Sequence, residues 1–86
     1  MNISKSILNY AKRRNIELTV ENDGSEVWFY EADNDCEPMF IMFNNADCLT
    51  WKGNIYLKQE VKEELPATIS SEAKLKEVLN FLSANI

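Results

Sequence analysis

The chain has no histidine, and that absence removes more chemistry than any other feature of its 86 residues. Without an imidazole there is no ordinary general base for a serine or cysteine nucleophile and no nitrogen ligand for zinc. The two cysteines, Cys36 and Cys48, cannot complete a four-ligand zinc site unless carboxylates join them. Cys36 is flanked by Asp35 and Glu37, whose negative charge opposes thiolate formation, and Cys48 reads as a small hydrophobe. Nucleophile-elbow, phosphate-loop and dinucleotide-binding glycine patterns are all missing. The expectation is a protein that is not an enzyme and has no cofactor. Glycine and proline number two each, so regular elements should be joined by short connections. Long apolar runs are also lacking: the longest, Met39 to Phe43, falls far below the roughly 18 residues needed to span a bilayer. The opening M-N-I-S-K-S-I-L-N-Y-A-K-R-R lacks the apolar stretch of a secretory signal, so a soluble cytoplasmic protein with free thiols is expected.

What is present reads as one α+β domain over residues 1–86. Ile3, Ile7, Leu8 and Ala11 recur at helix spacing over 3–14, with Asn2 or Ser4 as cap and Asn15 as a left-handed stop. The period then becomes two: Ile16, Leu18 and Val20 alternate with Glu17, Thr19 and Glu21. Asn22-Asp23-Gly24-Ser25 predicts a hairpin into a strand over 26–32. Met39 to Phe43 is apolar on both faces and predicts a central strand covered on each side. Gly53-Asn54 predicts a second tight hairpin, between 49–52 and 55–57. Residues 58–65 fit either a strand tail or two helical turns, ended by Pro66. Ser70 or Ser71 should cap a last helix with Leu75, Val78, Leu79, Leu82 and Ile86 along one stripe. The expected order is α-β-β-β-β-α, an antiparallel sheet packed by N- and C-terminal helices.

Charge is distributed unevenly along this order. Residues 1–15 carry Lys5, Lys12, Arg13 and Arg14 and no acid, whereas 16–47 carry nine acids and no base. Residues 48–86 balance five against five, which leaves the net charge of −5. Successive strands of one sign should project a contiguous negative field, which repels nucleic acid and attracts basic protein surfaces. Direct nucleic-acid binding through the basic helix end is not expected, since cations there complement the helix dipole. The densest acidic segment is E-A-D-N-D-C-E-P, residues 31–38. Its Asp33, Asp35 and Glu37 imitate the start of a calcium loop, but the sixth and twelfth positions hold Pro38 and Asn44 in place of glycine and glutamate. A metal site is therefore not expected there. In Val27-Trp28-Phe29-Tyr30 neighbouring side chains must face opposite ways, so one pair enters the core and the other stays partly open. The candidate partner-binding set is Glu21, Asp23, Glu26, Trp28, Tyr30, Glu31, Asp33, Asp35 and Glu37, with Trp28 or Tyr30 as the apolar anchor.

In size, acidity and lack of catalytic residues the chain resembles the small inhibitors encoded by phages and mobile elements, anti-CRISPR and other anti-defence proteins among them. It is similar in the same respects to the immunity proteins that block bacterial toxins. Either resemblance implies a non-enzymatic protein-binding module that occludes a basic, nucleic-acid-handling target, with no membrane partner. Two further readings are a metal-binding or metal-dependent enzyme using the loop 31–37 and a homodimer built by strand addition or by pairing the basic helix with the acidic sheet.

Overall fold

The computed structural model describes all residues, 1–86, as α1 (Lys5–Lys12), β1 (Ile16–Glu21), β2 (Glu26–Glu31), β3 (Phe40–Asn44), β4 (Leu49–Asn54), α2 (Gln59–Glu64), β5 (Thr68–Ile69) and α3 (Glu72–Asn85). The five strands form one antiparallel sheet in the order β1-β2-β3-β4-β5, with helices at both ends of the chain. This is the expected α+β order with a short helix and a short strand inserted before the last helix.

The local chemistry explains the boundaries. Ser4 is the cap of α1, its hydroxyl accepting from the Ile7 N–H, and Ser71 caps α3 by accepting from the Lys74 N–H. Asn15 ends the first turn region at φ 60, a left-handed conformation that asparagine tolerates. Asn22, Asp23 and Gly24 take φ of 53, 58 and 87, so three successive left-handed residues turn β1 back into β2. The ambiguous 58–65 segment is helical over Gln59–Glu64, and Leu65 is already extended ahead of Pro66.

Two expectations are corrected, and one strand was not anticipated. Gly53-Asn54 does not turn a hairpin; both residues finish β4. The reversal follows at Asn54, whose side chain accepts from the Leu57 N–H and donates to the Leu57 carbonyl, while Ile55 and Tyr56 N–H groups bond the Met39 carbonyl. Thr68–Ile69, too short to show a period, closes the sheet against β4. Finally, β3 is central but covered on one side only. Phe40 and Met42 are buried, Ile41 is half-buried and Phe43 is 43% exposed.

That asymmetry organises the molecule. One sheet face presents Ile16, Leu18, Val27, Phe29, Phe40, Met42, Leu49 and Ile69 to a single core completed by Ile7 and Ala11 of α1, Val61 of α2 and Leu75, Val78, Leu79 and Leu82 of α3. Phe40 stacks between Phe29 at 4.3 Å and Trp51 at 5.2 Å, ring centre to ring centre. Arg14 lies over the Tyr10 ring and donates to Asn80 Oδ1, joining α1 to α3. The opposite face has no helix on it. No helix is long and apolar enough to cross a membrane.

Candidate functional site

The strand registers define the open face. Glu17 lies opposite Tyr30, Thr19 opposite Trp28 and Glu21 opposite Glu26. Trp28 lies opposite Ile41 and Glu26 opposite Phe43 on the other side of β2. Because side chains alternate, all these residues point away from the core that buries Val27 and Phe29. The open pair of Val27-Tyr30 is therefore Trp28 and Tyr30, whose ring centres are 6.4 Å apart. Both are half-buried, their ring planes tilted 37° to each other, with Ile41 and Phe43 extending the apolar strip.

Carboxylates flank this strip, and the structure separates them by what they touch. Glu26 is buried: Lys52 Nζ donates to its Oε2 at 2.7 Å and the Trp28 indole N–H donates to its Oε1 at 2.8 Å. The Lys52 hydrogen bond, aided by the indole, holds the Glu26 carboxyl below its ordinary range. Glu26 thus stabilises the face from within and offers no free charge to a partner. Lys52 also lies 5.7 Å from the centre of the Phe43 ring. The Lys52–Glu26 contact is the protein's one side-chain ion pair. Glu21, opposite Glu26, keeps its carboxylate unpaired, and Glu17 does the same four residues earlier.

Glu31 belongs elsewhere. It pairs in register with buried Ile16, so it turns to the helix side of the sheet, where its Oε1 accepts from the Tyr56 hydroxyl at 2.8 Å. Burial, then the Glu31 hydrogen bond and charge, push the Tyr56 phenol up to about 12. These two residues line a cleft with Leu57, Lys58, Val61 and the end of α3, away from Trp28 and Tyr30.

The acidic loop after β2 is tied at both ends. Asn34 N–H bonds the Glu31 carbonyl, Pro38 is buried, and Met39 N–H donates to the Phe29 carbonyl at 2.6 Å. Between these anchors Asp33, Asp35, Cys36 and Glu37 are exposed. Asp35 returns to the open face, where it borders a shallow hollow with Glu17, Thr19 and Tyr30. No three metal-ligating side chains converge in this loop or in any other part of the protein. Asp23 stands at the exposed tip of the β1–β2 turn.

Of the nine residues expected at the site, Glu21, Trp28, Tyr30 and Asp35 gather on the open face. Asp33 and Glu37 flank it in the loop, Asp23 marks one end, Glu26 is internally neutralised and Glu31 faces the other way. Glu17, Ile41 and Phe43 were not anticipated as members. The signal for Glu17 was available in the period-two pattern of β1, which places it beside Glu21 on the polar side. The arrangement holds no nucleophile with a base beside it. What it offers is an aromatic strip rimmed by unpaired carboxylates, suited to guanidinium and ammonium groups that can meet a carboxylate and a ring together. No protein-family profile, curated protein or solved structure matches the chain.

Proposed function

We propose that the protein is a non-enzymatic binding module that uses its open sheet face to occlude a basic surface of a nucleic-acid-handling protein. The observation that carries this reading is the state of the one cation on that face. Lys52 is consumed by Glu26, so Glu21, Asp33, Asp35 and Glu37 have no compensating base around Trp28 and Tyr30, and Glu17 makes no ion pair with the Lys5 and Lys12 that share its hollow at the sheet edge. A partner that brings arginines and lysines supplies what the face lacks, and the aromatic strip supplies apolar contact at the centre. Inhibition by occlusion is the action of the anti-defence and toxin-immunity proteins that the chain resembles in size and charge.

The test uses immobilised protein and a heparin-binding fraction of bacterial extract. At about 0.15 M salt the wild type should retain a nucleic-acid-binding protein, and about 0.5 M salt or added polynucleotide should release it. Reversing Asp33, Asp35 and Glu37 to lysine moves the net charge from −5 to +1, each change adding two, and should abolish retention. Equal retention by the reversed variant would show that the acidic rim plays no part. A Trp28→Ala variant should weaken retention at every salt concentration, because its contribution is contact area rather than charge.

A further inference from the structure

The two edges of the sheet are built differently. One edge is β5, only two residues long and preceded by Pro66 and Ala67, which leaves little to pair with. The other is β1, six residues with no proline, no bulge and no lysine. Asn15 accepts from the Ala32 N–H, which sets the odd-numbered residues of β1 toward β2. The backbone groups of Ile16, Leu18 and Val20 consequently point outward from the sheet. Val20 is 47% exposed at that edge although its parity belongs to the apolar face.

We infer that the β1 edge pairs with β1 of a second copy, antiparallel about a two-fold axis through Leu18. This register is selected by hydrogen bonding and by charge. Centring on Leu18 sets Ile16 of each copy opposite the second copy's Val20, and all three outward residues then exchange about six backbone hydrogen bonds. Shifting the centre to Thr19 sets Glu17 directly opposite Glu21, and shifting it to Glu17 opposes two copies of that residue; like charges facing each other are destabilising. In the Leu18 register Glu17 faces Thr19 instead. Beyond the paired residues, the exposed Arg13 of each copy comes alongside the exposed Asp23 of the other, twice by symmetry. A strand with a basic end before it and an acidic turn after it is complementary to itself only when antiparallel. The added strand also flanks the hollow that Lys5, Leu8, Asn9, Lys12, Glu17 and Leu18 line beside this edge. The five-stranded sheet becomes a continuous ten-stranded one, with both open faces on the same side.

Sedimentation velocity from about 10 µM to about 1 mM should show a monomer passing into a dimer as concentration rises. Val20→Pro removes an N–H that bonds nothing within the protomer and should leave a folded monomer, judged by an unchanged circular dichroism spectrum. Arg13→Glu should weaken association about tenfold, and adding Asp23→Lys to it should restore most of the loss. A wild type that stays monomeric at the highest concentration overturns the proposal, as does a folded Val20→Pro variant that still dimerises. If Val20→Pro fails to fold, the charge pair decides: a double variant no tighter than Arg13→Glu alone refutes the register. Binding by the open face is a separate surface, so a monomeric result leaves the proposed function standing.

Discussion

Phe40 and Phe43 lie three residues apart on β3 and point to opposite sides of the sheet, so truncating each tests the one-sided cover on which the functional reading depends. Phe40 is 1% exposed and stacked between Phe29 and Trp51. Phe40→Ala should lose about 3–5 kcal/mol, the range for deleting a fully buried phenylalanine, because both neighbouring rings then face a void. A chain of this length has roughly 4–13 kcal/mol of stability in total, so the variant should be close to unfolding. Phe43, 43% exposed, has only its contact with neighbours on the open face to lose, and Phe43→Ala should cost about 1 kcal/mol or less. Urea titration followed by tryptophan fluorescence measures both. With a slope near 1 kcal/mol per molar, the midpoint should fall by about 3 M or more for the first and about 1 M or less for the second. Equal losses would refute the reasoning, since they would mean that something covers the outer face as completely as the helices cover the inner one. The comparison should be made at low micromolar protein, where self-association does not contribute.

Three other outcomes follow from particular contacts. Tyr56 is raised to about 12 in the folded protein, so the stability it contributes is complete below the ordinary phenol value near 10 and is lost as pH rises through 12. Ultraviolet titration should show one of the three tyrosines ionising late, and Tyr56→Phe should delete that step alone; a full complement of ordinary titrations in the wild type would contradict the Glu31 contact. Glu26 is lowered, so its contribution is present above the ordinary carboxylate value and fades as pH falls through the folded one. Lys52→Met should flatten that acid limb of the stability profile, and an unchanged profile would show that the ion pair carries no linkage. Ser71→Ala removes the cap hydrogen bond to Lys74 and should destabilise by about 1 kcal/mol in thermal melts, whereas Ser70→Ala should do nothing comparable.

The elements with a local cause were legible before any coordinates. Asn15 and Asn22-Asp23-Gly24 announce left-handed turns because few other residues accept that backbone, and Ser70-Ser71 announces a helix because a serine hydroxyl can satisfy an orphan N–H, the structure selecting Ser71. What was not legible depends on pairing across the sheet. Gly53-Asn54 has hairpin composition, but the register of β4 against β3 carries the strand through it, with the shift absorbed between Ile41 and Met42. The even spread of apolar residues in Met39–Phe43 implied cover on both sides, and only the placement of every helix on one face shows otherwise. The site divides in the same way. The acidity of 16–47 could be counted, yet the parity that sends Glu31 to Tyr56 and the cross-strand lysine that neutralises Glu26 arise from register. Charge sums treat those carboxylates as equivalent; the fold does not.

The strand order has a consequence for how quickly the protein can form. Each sheet pairing joins a strand to the next one along the chain, so every ladder closes over a short segment with a small entropic cost. Such local topology favours rapid folding among sheet-containing domains. The closure that joins the most distant parts of the chain is the seam between α1 and α3, fastened by Arg14 over Tyr10 and onto Asn80. The meander can therefore assemble strand by strand, with the helical seam locking last and opening first. Weakening that seam should quicken unfolding while leaving the folding rate nearly untouched.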